Sequence, residues 1–242
     1  MMLVLCLAIV GAAFASGGPQ AAGALPTVDQ IIDKYVQAIG GKAAIEKQTS
    51  RVSKGTFEIP AVGAGGTAEI FEKAPNKSAA VINIEGFGMV LEGFDGKIAW
   101  AQDPQSGLRE KAGAELGAAK IDAEFHKWSK IKQLYPKIVV KGKDKVADRD
   151  VYVVEATPAE SSAETWYFDA QNGLLVRQDS EREGPQGKQS VQIFLEDYKE
   201  FDGVKLPMTI RQVTSAFTLT IKISDVKHNV PIDDAKFVKP KA

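Results

Sequence analysis

The sequence predicts a mainly β, α+β fold. Three observations carry that expectation: short apolar runs that alternate with polar residues, Gly and Asx turns between those runs, and only a few stretches with helical spacing. At 242 residues the chain is long enough for one large β-rich domain with a sizeable core. Lys and Arg total 30 against 31 Asp and Glu, so the chain lacks the positive surplus of a nucleic-acid binder.

No charged residue precedes Asp29. Leu3 to Val10 is apolar, and Ala13-Phe14-Ala15 places small residues where a signal peptidase reads them, although Met1-Met2-Leu3 supplies no positive n-region. The run is too short for a transmembrane helix, which needs about 20 apolar residues. Residues 1–24 are therefore expected to be a signal peptide and linker, cleaved near Ala15 or, as a second site, after Ala22-Gly23-Ala24. Residues 25–242 are expected to form a single domain. Cys6, the only cysteine, lies in this segment without the small residues of a lipobox before it, so disulfide and thiol chemistry drop out of the mature chain.

The first element is a helix. Thr27-Val28-Asp29-Gln30 has the form of a capping box, and Val28, Ile31, Ile32, Tyr35, Val36 and Ile39 recur at helical spacing until Gly40-Gly41. A short second helix is expected over Lys42 to Gln48. About a dozen strands follow, at 52–59, 67–71, 80–84, 89–94, 97–101, 138–141, 151–156, 164–168, 174–178, 190–195, 206–210 and 217–223. In the last of them Phe217, Leu219, Ile221 and Ile223 alternate with Thr218, Thr220 and Lys222, so one face is buried and the other wet. Asp-Gly and Asn-Gly corners at Asp95-Gly96, Asn172-Gly173 and Asp202-Gly203 join strands of an antiparallel meander. The one long break, Pro104 to Pro136, carries Ile121, Phe125, Trp128 and Tyr135 at helical spacing, with Ile131 at the edge of the stripe. That spacing predicts an amphipathic helix laid over the open face or mouth of a curved sheet.

The same residues complete no catalytic constellation. Asp122 stands one turn before His126, but His228 is the only other histidine and no ligand set is completed, so no metal is expected. His126 falls off the aromatic stripe and is expected to be solvated. The chain has no Gly-x-Ser-x-Gly elbow, Walker loop or His-Glu-x-x-His helix, and Gly63-Ala64-Gly65-Gly66 reads as a hairpin tip. Asp233-Asp234 and Glu72 with Glu85 read as solvated carboxylates. The expectation is a protein without catalysis or cofactor.

Two features are less neutral. Lys127, Lys130, Lys132, Lys137, Lys141, Lys143 and Lys145 crowd one segment opposed only by Asp144. They read either as a solvated helix face and guarded strand edge, or as a surface, centred on Lys137, Lys141 and Lys143, that docks an anionic membrane or an exported protein. Phe125 and Trp128 are either core residues or, with Ile121, a movable lid over an apolar cavity floored by Phe217, Leu219, Ile221 and Ile223.

The helix before the first strand, the interrupted meander and the phrases Asp95-Gly96-Lys97, Trp166-Tyr167-Phe168-Asp169, Asp202-Gly203-Val204-Lys205-Leu206-Pro207 and Asn229-Val230-Pro231-Ile232 resemble the outer-membrane lipoprotein-sorting (LolA/LolB/RseB-like) superfamily over roughly Val28 to Pro240. The resemblance implies an unclosed antiparallel β-barrel of about eleven strands with an N-terminal helix and an inserted lid helix. It implies a periplasmic, non-catalytic binding protein that holds a lipid or a lipoprotein's acyl anchor, as a carrier in lipoprotein sorting, or alternatively an RseB-like module that binds another exported protein. The carriers' lid-closing arginine has no match; Arg51 is the only arginine near an early strand.

Overall fold

The computed structural model describes residues 24–184 and 187–241. The expected signal segment and Cys6 lie outside the described residues, apart from Ala24 at the end of the linker.

Helix α1 (Val28–Ala38) starts as its sequence dictates. The Gln30 amide donates to Thr27 Oγ1 at 3.2 Å while the Thr27 amide donates to Gln30 Oε1 at 2.8 Å, satisfying two amides at the helix start. Its apolar face, Ile31, Ile32, Tyr35 and Val36, is buried. Gly40 follows at φ 122°, and a Cβ there would meet the Gly203 carbonyl at 2.0 Å, so glycine is required by both backbone and space. A short helix α2 (Lys42–Lys47) leads into the sheet.

The sheet has thirteen antiparallel strands: β1 (Ser50–Ile59), β2 (Ala64–Lys73), β3 (Lys77–Ile84), β4 (Gly88–Phe94), β5 (Ala99–Asp103), β6 (Gly107–Glu110), β7 (Lys137–Val146), β8 (Arg149–Thr157), β9 (Glu164–Asp169), β10 (Leu175–Gly184), β11 (Gly187–Glu196), β14 (Thr209–Val213) and β15 (Thr218–His228). A separate hairpin holds β12 (Lys199–Phe201) and β13 (Val204–Leu206). The strand order is β6-β5-β4-β3-β2-β1-β15-β14-β11-β10-β9-β8-β7, an unclosed barrel. The expected class holds, with thirteen strands in place of about eleven. Strand β6 hides in the long break, and the run expected at 206–210 is split at Pro207, which has no N–H to give a ladder.

Topology fixes the lid. Strands β1 and β15 pair in the middle, so β6 and β7, adjacent in sequence, stand at opposite edges of the sheet. Residues 111–136 must therefore cross it. They do so as α3 (Gly113–Asp122), a 3-10 turn (Lys127–Ser129) and a single-turn α4 (Ile131–Leu134), so the expected continuous aromatic helix is broken. Tertiary partners break it. The Phe125 amide donates to the Pro75 carbonyl, His126 Nε2 lies 2.9 Å from the Gln48 carbonyl, and Trp128 is drawn into the core, which together outweigh local helix propensity. His126 is thus half-buried and partnered where solvation was expected.

The main core joins α1, α4 and the inner face of β7–β10. Trp166 and Phe168 pack there with Tyr35, Trp128 and Tyr135, with ring centroids 4.5–6.3 Å apart. The buried Glu164 carboxylate accepts from Trp166 Nε1 at 2.8 Å and Gln178 Nε2 at 3.0 Å, with Lys127 Nζ at 3.6 Å. On the outer face the C-terminal segment buries Ile232 and Phe237 against Phe71 and Ala79, and Trp100 Nε1 donates to the Phe237 carbonyl at 2.8 Å.

Candidate functional site

Register defines which side chains share the inner face. Directly paired residues lie on one face, so Arg51, Glu72, Ser78 and Phe94 are aligned across β1–β4, and Ile221, Ile210 and Leu195 across β15, β14 and β11. Ile70, Ala80, Ile193, Ile210 and Ile223 are only half-buried by the protein itself. Above them lies α3, whose sequence GAELGAAKID turns small residues toward the sheet. The space left is a cleft of about 490 Å³, bounded by β2–β4, β10, β11, β14 and α3. A second pocket of about 180 Å³, walled by Leu206, Pro207, Ile210, Ile223 and Val226, meets it at Ile70 and Glu72. The volume falls in the range of small-molecule sites, and the lining mixes apolar residues with charged and polar ones.

Helix α3 is fixed at both ends. At its start Arg109 of β6 makes a bidentate pair with Glu115, both contacts 2.7 Å, and Leu116 packs against the cluster of Phe94, Ala99 and Ala123. At its end Asp122 accepts from Arg182 of β10 at 2.7 and 3.2 Å, and Lys120 reaches Glu160 at 2.7 Å. Gly117 sits so close to the 158–163 loop that a Cβ would lie 2.1 Å from the Glu160 carbonyl. Where the two pockets join, Arg51 Nε and Nη2 donate to the Glu72 carboxylate at 2.6 and 2.7 Å. Burial disfavours the Arg51 charge, but the adjacent carboxylate more than offsets this and holds the guanidinium protonated. Lys111 is likewise held by Glu92 at 2.7 Å.

The residues singled out from sequence divide. Leu219, Ile221 and Ile223 share the inner face, and Ile223 lines the smaller pocket; Phe217 precedes β15 in its turn. Ile121 and Trp128 pack against the main core, the Trp128 ring 4.5 Å from Tyr35, and Phe125 lies under the Arg51 guanidinium at 5.9 Å. None of these three lines either pocket. The lysines lie on or beside the edge strand β7. Lys127, Lys130, Lys132, Lys141 and Lys145 each have an acidic partner, and Lys143 lies over the Tyr152 ring at 5.7 Å. Sequence reasoning missed Ile70, Ala80, Val191, Ile193 and Ile210. Their alternation was visible, but which face is inner depends on pairing across distant strands.

Among the described residues no group of three or more His, Cys, Asp or Glu is placed to hold a metal, and no helix is long and apolar enough to cross a membrane.

No family model matches the chain, and a search of curated proteins finds no match. Solved structures do match. A LolA superfamily protein from Nitrosomonas europaea superposes with a TM-score of 0.58 at 16% identity, covering 89% of this chain and 99% of the other. The chain has the LolA-like fold. A DUF1329 family protein from Desulfovibrio piger gives 0.57 at 14% identity, covering 88% and 98%. A domain provisionally named as outer membrane lipoprotein-sorting, from Vibrio parahaemolyticus, gives 0.53 at 12% identity, covering 86% and 94%. At these identities the match is one of fold. The LolA-like fold is carried here by a meander whose first and last long strands pair at its centre, which is what obliges the chain to lay α3 across the inner face.

Proposed function

We propose that this chain is an exported, periplasmic, non-catalytic binding protein that holds a lipid acyl chain, free or as a lipoprotein's anchor, between α3 and the inner face of the half-barrel. The observation that carries this reading is the pair of joined pockets, whose floor of half-buried Ile70, Ile193, Ile210 and Ile223 is apolar surface the protein does not itself cover. An acyl chain is the ligand chemistry that such a floor rewards, at about 0.8 kcal/mol per methylene buried. The LolA-like fold and the uncharged head before Asp29, read as an export signal, support the same reading. A place in lipoprotein sorting would follow from such binding, with α3 as the element that admits the chain.

The test is binding of a fluorescent fatty-acyl probe to delipidated protein, with mass spectrometry of gently purified protein for carried lipid. Saturable binding that is lost when Ile193→Trp fills the cleft is the expected result. A folded protein that binds no acyl probe and carries no lipid overturns the reading.

A further inference from the structure

The pairing of the cations that line the cleft restricts the ligand further, and this inference rests on the acyl-binding reading above. We infer that the site takes an acyl amphiphile with an uncharged, hydrogen-bonding head, of the acylglycerol class, and discriminates against fatty-acid anions.

Charge decides the head. Three cations line the two pockets, and each already holds a carboxylate: Lys111 with Glu92, Arg182 with Asp122 and Arg51 with Glu72. An incoming fatty-acid anion would shed water without gaining a free cation. What the walls do offer are the uncharged donors and acceptors of Ser78, Gln189 and Gln212. These suit hydroxyl and ester groups.

The experiment is calorimetric titration of the delipidated full chain with monolauroylglycerol and laurate. The expected result is saturable binding of monolauroylglycerol, with laurate about tenfold weaker or worse. Glu92→Gln, which frees Lys111 inside the cleft, should bring laurate up to the affinity of the glyceride. Laurate binding the native chain as tightly as monolauroylglycerol overturns the inference while leaving acyl binding intact, as does a folded Glu92→Gln variant with unchanged preference. Failure of both ligands overturns the acyl-binding reading itself. If Glu92→Gln unfolds, as judged by circular dichroism, Asp122→Asn frees Arg182 at the same cleft and is read by the same criteria.

Discussion

Between β7 and β10 the inner face of the sheet is filled by aromatic rings, whereas between β2 and β4, and across β11 to β15, it is left half-bare beneath α3. In the first region Trp166, Phe168 and Tyr135 are almost fully buried, and α1, α4 and Trp128 reach down to meet them. In the second the sheet presents Ile70, Ala80, Ile193 and Ile223, and the covering helix answers with Ala118 and Ala119. Both regions belong to one ladder of strands with one alternation. The difference lies in the size of the covering side chains: rings close the gap that a helix resting on a curved sheet leaves, and alanines do not. A half-barrel keeps an open cleft where its cover is small.

The contrast can be broken at several points. The largest effect belongs to the filled half: Trp166→Ala should lose about 3–5 kcal/mol of stability, measured by urea unfolding, because its neighbours are held by α1 and the sheet and cannot collapse into the hole. A loss below about 1 kcal/mol would mean that this half is as loosely filled as the other. Next, Gly117→Val drives a side chain against the Glu160 carbonyl and should cost about 1–3 kcal/mol while speeding exchange of an acyl probe in stopped-flow measurements. Unchanged stability and exchange would show that α3 is not seated by that contact.

Arg182→Gln sharpens the comparison more finely. Its pair with Asp122 is partly exposed, 26% and 48% by side chain, so stability should fall by no more than about 1 kcal/mol, yet probe exchange should accelerate because one end of α3 is released. Equal effects on stability and exchange would remove the latch role. The smallest effect is expected at His228, at the outlet of β15. Burial pushes its imidazole below the ordinary 6.5, with Asp202 at 3.2 Å opposing the shift. The unfolded chain then binds a proton near 6.5 that the folded chain refuses, so stability is full above that pH and falls as the pH drops below it. Urea midpoints on either side of pH 6.5 should converge in His228→Gln; an identical acid slope in the variant would assign it elsewhere.

Much of the fold was legible from local pattern. The capping box of α1, the Asx-Gly corners and the alternation of Leu219, Ile221 and Ile223 are short-range signals, and each appears where the residues placed it. The aromatic stripe misled for a physical reason. Phe125, Trp128 and Tyr135 fit one helical face, but each has a better partner in a different place: the Arg51 guanidinium for Phe125, the Tyr35 ring for Trp128 and the Trp166 ring for Tyr135. Burial of three large rings outweighs a few helical hydrogen bonds. The lysine cluster was equally visible, while the acids that neutralise most of it, Asp29, Glu155 and Glu164 among them, come from other elements.

By itself the sequence determined the β class, the N-terminal helix, the turn positions and the alternating inner residues, because propensity, capping and period are properties of neighbours along the chain. Only the tertiary structure decided that the cleft lies beneath α3, away from Phe125 and Trp128, and that its cations are already paired. Those facts depend on β1 meeting β15 at the centre of the sheet, a contact between residues near opposite ends of the described chain that no local spacing encodes.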